Sequence, residues 1–255
     1  MSVAQDRQSR AARVRFVLSN TSHPGNIGSA ARAMRTMGFG RLDLVAPAAF
    51  PHGDAWALAA GAIDVLERAR VTPSLAEAVA DCTLVIGATA RLRGVSLEEW
   101  SPREAAGKVL EAAALGHEVA IVFGNERAGL SNDEIMRCQA AVHIPSDPGY
   151  SSLNLAQAVQ VIAYELRIAQ LDGVSARTGN ADGAATSAEL EGFFDHLAAT
   201  LDDIDFHKGR SPVTIMRRLR KLFLRARPDQ RELRVLRGIL ADAQRMAQLA
   251  RRAGG

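Results

Sequence analysis

Aromatic residues are scarce in this chain. Eight Phe, two Trp and two Tyr make up 5% of 255 residues. Trp56, Trp100 and Tyr150 stand too far apart in sequence to predict a base-stacking platform. Cysteine is scarcer still. Cys82 and Cys138 lie far apart, and neither sits in a CxxC. That excludes a disulfide framework and a Cys-based zinc site, and it suits a reducing compartment. Neither cysteine has a basic partner at a helix start, so no thiolate nucleophile is expected, and Cys82 reads as a small core residue. The six His show no HxxxH spacing, which argues against a His metal site. GxSxG and GxxxxGK[ST] are absent, and no GxGxxG follows the first strand-like run, which removes the usual nucleophile elbow and nucleotide loops. No apolar run approaches the roughly 18 residues of a membrane span. The start, Met1 to Arg7, lacks the apolar core of a signal peptide, so a cytoplasmic location is expected.

What is present is ordinary in bulk and uneven in detail. The chain is 47% hydrophobic and 23% charged, a common soluble composition. Its net charge of +3 hides an asymmetry. Residues 1–206 hold 17 Lys+Arg and 25 Asp+Glu, net −8, while residues 207–255 hold 14 and 3, net +11. A basic tail on an acidic body points to an anionic partner. Between Asp172 and Ser187 the chain reads DGVSARTGNADGAATS, small and polar without apolar period. That predicts a flexible linker. The expected division is a ragged start at 1–12, a domain at 13–171, a linker at 172–186 and a smaller domain at 187–255.

The first domain alternates strand-like and helix-like segments. Arg13–Leu18, Arg41–Ala46, Thr83–Gly87, Val119–Phe123 and Ala141–Ile144 are short and near-continuously apolar, as strands covered on both faces would be. Helical patterns occupy Asn26–Met37, Ala55–Ala60, Ser74–Ala80, Pro102–Leu115 and Leu153–Leu171. The alternation predicts an α/β fold with a mostly parallel sheet. The second domain reads as all helix. Ser187–Leu201 comes first, then a helix capped by Ser211 with Pro212 at its first position, running to about Arg227. Val213, Met216, Leu219 and Phe223 form its expected apolar stripe, with Arg217, Arg218, Lys221 and Arg225 on another side. A last helix, from about Asp229 to Ala250, is expected to bury Leu233, Leu236, Leu240 and Ala243.

Three segments carry residue types suited to chemistry. After the first strand, Asn20 to Arg32 reads NTSHPGNIGSAAR, a polar turn feeding a helix that Asn26 is placed to cap. A helix N-terminus offers free N–H groups to an anion, and Arg32 lies far enough into the helix to reach back toward it. A capped helix with a solvated Arg32 explains the same residues. After the fourth strand, Gly124-Asn125-Glu126-Arg127-Ala128-Gly129 sits at a strand end, where ligands gather in open α/β sheets. A structural turn with a local ion pair is the alternative. Before the long helix, Ser146 to Asn154 holds three serines, two of which, Ser151 and Ser152, precede an abrupt apolar run. One of that pair is expected to be the helix cap.

Taken in order, Asn26-Ile-Gly-Ser-Ala-Ala-Arg32, Ile121-Val-Phe-Gly124-Asn-Glu126-Arg-Ala-Gly129-Leu, and Ile144-Pro145 with Ser151-Ser152-Leu153-Asn154-Leu155-Ala156 resemble the three motifs of the SpoU branch of the SPOUT methyltransferases. Ser22 to Asn26, Glu165-Leu166-Arg167, Leu222 to Pro228 and Leu236 to Leu240 extend the likeness toward the tRNA 2′-O-ribose methyltransferases of that branch. Asn125 departs from the Arg that some close relatives carry, although the wider family allows Asn. The resemblance implies a SPOUT fold with a C-terminal trefoil knot, a homodimer, S-adenosylmethionine as cofactor, tRNA as partner, and neither membrane nor metal. The target it implies is a cytidine or uridine at position 32 of the anticodon loop. By position, the cofactor site would hold Ala88, Thr89, Ala90, Gly124, Ile144, Ser151, Ser152 and Leu153. Arg32 would be the leading catalytic residue. A guanidinium hardly deprotonates, so its expected role is to fix the ribose through a phosphate and favour the 2′-alkoxide. Ser152 and Asn26 would hold the hydroxyl or the loop, and Glu126 would orient Arg32 or close the loop. Arg217, Arg218, Lys221 and Arg225 would bind RNA. The alternatives are an rRNA 2′-O-methyltransferase of the same branch, a non-catalytic RNA-binding protein on this fold, and a basic tail that only stabilises a dimer.

Overall fold

The computed structural model describes residues 3–90, 97–173 and 183–253. The chain falls into two compact units, Met1–Gly179 and Asn180–Gly255. In the first, seven strands form one sheet: β1 (Val14–Ser19), β2 (Leu42–Val45), β3 (Arg70–Thr72), β4 (Leu84–Ala88), β5 (Glu98–Trp100), β6 (Val119–Phe123) and β7 (Ala140–Val142). Their order is β3-β2-β1-β6-β4-β7-β5, and every pair is parallel. Pleating sends successive side chains to opposite faces. Phe16, Leu18, Ile121 and Phe123 join one core; Val17, Ala120, Val122, Cys82 and Cys138 join the other. Each large apolar side chain so buried contributes about 1.5–3 kcal/mol. Burial also pushes both cysteine thiols up to about 12, as inert core residues.

The five strongest strand signals correspond to β1, β2, β4, β6 and β7. The edge strands β3 and β5 escape detection because each has three residues, two of them exposed, with Arg70, Glu98 and Glu99 among them. Among the described residues, eight α-helices accompany the sheet: α1 (Val3–Ala12), α2 (Pro24–Thr36), α3 (Gly53–Ala59), α4 (Ile63–Glu67), α5 (Leu75–Ala78), α6 (Pro102–Ala114), α7 (Asn132–Ile135) and α8 (Leu155–Asp172). Within the segment expected to be ragged, residues Val3–Ala12 form α1. An Asp6–Arg10 ion pair of 2.7 Å spans its turn, Ala11 is buried, and Arg7 donates to the Leu171 carbonyl at 3.2 Å. In the sheet, Arg15 is 1% exposed and bonds both carboxylate oxygens of Asp81 at 2.8 and 2.7 Å. This cation of the acidic body is therefore structural.

The second unit is helical: α9 (Ser187–Asp203), α10 (Pro212–Ala226) and α11 (Gln230–Ala253). Thr186 and Glu189 form a capping box on α9. Ser211 caps α10 with Pro212 at its first turn, as the sequence predicts. Gly183 accepts from Gln230 N–H at 2.6 Å, Ala184 bridges Asp229, and Ala185 is buried. Positions 174–182 lie outside the described residues. The apolar stripe of α10 also shifts. Val213 is 77% exposed, while Leu224 is buried and Met216, Leu219 and Phe223 pack against the Phe193–Phe194 core. Leu233 is the buried anchor of α11, with Leu236 and Leu240 packed beside it.

Candidate active site

The strand order explains how segments a hundred residues apart can meet. β1, β6, β4 and β7 are neighbours, so the chain leaving each one opens at the same carboxyl end of the sheet, where ligands bind in such folds. Asn20 to His23 follow β1 into α2. Thr89 and Ala90 follow β4, Gly124 to Leu130 follow β6, and His143 to Asn154 run from β7 to α8.

A cleft of about 270 Å3 opens there. All eight residues expected around the cofactor line it: Ala88, Thr89, Ala90, Gly124, Ile144, Ser151, Ser152 and Leu153. Glu126 lines it as well. Sequence reasoning did not assign Phe123, Leu130, Val142 or Leu155 to the cofactor site, yet they also form its walls. Their apolar character was legible, but it marks core and cleft alike. Gly124 is required by a close approach. A Cβ there would collide with the Gly129 carbonyl carbon and the Leu130 nitrogen, because the loop folds back upon itself. Asn125 closes that turn: its backbone carbonyl accepts from Gly129 N–H at 2.8 Å, and its Oδ1 accepts from Arg127 N–H at 2.9 Å. Apolar walls, backbone edges and a few hydroxyls suit a flat nucleoside with a short polar tail. On that chemistry the cleft fits S-adenosylmethionine.

Glu126 is the hub of a bracket between segments. Its carboxylate accepts from the Ser22 N–H at 2.9 Å, the Ser22 hydroxyl at 2.6 Å, the His23 N–H at 3.2 Å and the Asn26 amide at 2.9 Å. Burial pushes its pKa upward, but these donors outweigh burial and pull it down to about 2. Asn154 then donates to Asn26 Oδ1 at 3.0 Å, linking the second and third motifs through the first. Of the two roles expected for Glu126, orienting Arg32 or closing the loop, its contacts are with the loop that leads into α2. One expectation changes here. The N-cap of α2 is His23, and Asn26 sits inside the first turn, its side chain committed to the bracket. Pro24 explains the earlier start, since its fixed φ favours the first helical position.

The cap of α8 also differs. Asn154, not Ser151 or Ser152, accepts the Ala156 N–H, at 2.9 Å. Both serines are therefore free of capping duty and face the cleft. Arg32 is exposed on α2 and does not line the cleft. No described acidic side chain pairs with it; its carbonyl accepts from the Thr36 hydroxyl at 2.7 Å. On α10, Arg217, Arg218, Lys221 and Arg225 are all exposed. Arg220, between them in sequence, is not part of that face: it pairs with Glu191 and stacks on the Phe194 ring at 4.3 Å. Among the described residues no helix is long and apolar enough to cross a membrane, and no group of three or more His, Cys, Asp or Glu is arranged to hold a metal.

Comparison with known proteins follows the same division. The SpoU rRNA Methylase family matches residues 13–164, and the C-terminal domain of the tRNA methyltransferase TrmJ matches residues 188–252. The chain is 48% identical over 245 residues to the tRNA (cytidine/uridine/adenosine-2′-O-)-methyltransferase TrmJ of Pseudomonas aeruginosa, covering 92% of this chain and 95% of that protein. It is 48% identical over 238 residues to the tRNA (cytidine/uridine-2′-O-)-methyltransferase TrmJ of Salmonella typhimurium, covering 91% and 96%. The crystal structure of TrmJ from Z. mobilis superposes with a TM-score of 0.78 at 38% identity, covering 89% of this chain and 97% of that one.

Proposed function

We propose, on the premise that the chain belongs to the SpoU methylase family and within it to the TrmJ methyltransferases, that it methylates ribose 2′-hydroxyls of tRNA with S-adenosylmethionine. One observation carries the reading: all eight residues expected to hold the cofactor line a single cleft beside the Glu126 bracket. S-adenosylmethionine, when bound, supplies an electrophilic methyl group on its sulfonium. The protein's part is to align a hydroxyl with that methyl and to favour loss of its proton. Alignment alone can contribute several kcal/mol. Ala88, Ile144 and Leu153 would hold the adenosine by apolar contact, and the Ser152 hydroxyl is available to orient the attacking oxygen. Arg32, exposed and without an acidic partner among the described residues, is available to clamp the adjacent phosphate and stabilise a developing alkoxide. The rigid Glu126–Asn26–Asn154 bracket fixes the helix that carries it.

The exposed cations of α10 supply the sequence-independent grip on RNA. A cytidine or uridine at position 32 of the anticodon loop, a homodimer, the trefoil knot and a cytoplasmic location belong to the same proposal. The match of residues 188–252 to a tRNA methyltransferase domain favours tRNA over rRNA. The test is methylation of total tRNA with methyl-labelled S-adenosylmethionine, mapped by nuclease digestion. Label on the ribose at position 32 is expected. Label on a base, at another position or only on rRNA overturns the reading. Light scattering at twice the chain mass is expected for the dimer, and the mass of a single chain would refute it.

A further inference from the structure

The three aromatic side chains too scattered in sequence for a platform have different fates in the fold. Trp100 is 3% exposed and lies in the core. Trp56 packs against the same core beside Phe50, ring centroids 6.4 Å apart. Tyr150 is 85% exposed, the most exposed of the large hydrophobic side chains among the described residues. Tyr150 thus presents an apolar ring face and a polar hydroxyl to solvent, where a partner can reach both. Its position is defined. Tyr150 N–H donates to the Asp147 carbonyl at 3.0 Å, closing a turn with Pro148 and Gly149 at its centre. Asp147 Oδ1 accepts from Gly149 N–H at 2.7 Å, and the Ser146 hydroxyl donates to the Ser151 carbonyl at 3.1 Å across the base of the loop. The next two residues, Ser151 and Ser152, line the cleft. A braced loop thus holds an exposed phenol ring on the residue that immediately precedes the cleft-lining Ser151 and Ser152.

We infer that Tyr150 is a substrate-positioning residue that stacks on the nucleobase of the nucleotide being methylated. The inference rests on the proposed RNA ribose methylation. A ribose held with its 2′-hydroxyl over the cleft leaves its base outside, next to the loop that carries Tyr150. That base is unpaired in a single-stranded loop and needs a partner for the face it exposes. An aromatic ring supplies one for any base, since every base has a π-face. The phenol hydroxyl is not required for this.

The experiment uses the full-length protein, tRNA, and Tyr150→Ala, Tyr150→Phe and Tyr150→Trp. Wild-type methylation of tRNA is the control: if it fails, the proposed function fails, and the inference with it. If it succeeds, Tyr150→Ala is expected to lower kcat/KM for tRNA by about 10- to 100-fold. S-adenosylmethionine affinity and oligomeric mass should not change, and Phe and Trp should restore activity to within about twofold. 2-Aminopurine riboside at the methylated position should be quenched by the wild type and by Tyr150→Phe, but not by Tyr150→Ala. Unchanged kcat/KM in Tyr150→Ala overturns the inference. So does weakened cofactor binding, which would make the ring part of the cofactor site, or a changed mass, which would make it a subunit contact. A Phe variant as poor as Ala would overturn stacking in favour of the hydroxyl.

Discussion

Arg32 and Glu126 show how differently two charged residues in adjoining motifs can be used. Arg32 is exposed and lacks an acidic partner among the described residues, which suits a group that meets its anion only when RNA arrives. Its planar fork can hold a phosphate through two hydrogen bonds; a lysine offers only a point charge. Arg32→Lys should therefore lose about 10- to 100-fold in kcat/KM, the equivalent of one charged hydrogen bond of about 1.5–3 kcal/mol. Near-normal turnover of the lysine enzyme would remove the bidentate role. Glu126 is already satisfied by four donors, and its pKa falls from 4.5 to about 2. A carboxylate with a depressed folded-state value stabilises the fold at pH above its unfolded value. That stabilisation disappears as pH drops from about 4.5 toward 2. The melting-temperature gap between wild type and Glu126→Gln should thus be widest at pH 7 and shrink by pH 3. A gap that stays constant over this range would show that the charge contributes nothing.

At the scale of elements, α2 is set by a close approach to α3. A Cβ on Gly28 would collide with the Ala55 carbonyl oxygen and lie 2.9 Å from the Ala59 nitrogen, backbone atoms that cannot turn aside. Gly28→Ala is expected to cost about 2–3 kcal/mol, read as a drop in Tm by thermal denaturation. Gly25 faces only the Leu58 Cδ1 at 2.8 Å, the end of a half-exposed side chain. Gly25→Ala should stay within about 0.5 kcal/mol of wild type; equal losses at both positions would refute the account. What Gly28 approaches is not legible in the sequence, because α3 lies 25 residues further on and periodicity carries no partner information. The same limit applies to the caps. In sequence Asn26 is the candidate for α2 and Ser151 or Ser152 for α8; in the fold Asn26 is taken up by Glu126, Asn154 caps α8, and His23 occupies the N-cap position of α2 without a side-chain cap bond.

At the scale of the molecule, the net charge of +3 is the sum of two parts with separate roles. The acidic body hides one of its cations in structural pairs such as Arg15–Asp81, whereas α10 leaves Arg217, Arg218, Lys221 and Arg225 in solvent. Neutralising those four with Gln should weaken tRNA binding at every tRNA sequence. The slope of log affinity against log salt should fall by about 0.7–0.9 for each phosphate that the protein no longer neutralises. An unchanged slope would assign these residues to another purpose. Arg220, held by Glu191 and Phe194, should affect stability and leave the slope alone.

The sequence by itself determined the α/β class, the five central strands, the three motif segments, the Ser211–Pro212 helix start and the charge division. Each rests on local periodicity or on residue type, which chain order preserves. Only the tertiary structure decided which donors Glu126 serves, that Tyr150 stands exposed while Trp100 is buried, and that β3 and β5 complete the sheet. These depend on the order β1-β6-β4-β7, which brings Ser22, Glu126 and Asn154 together across more than a hundred residues. A spacing that long is set by the packing of both sheet faces and leaves no local signal.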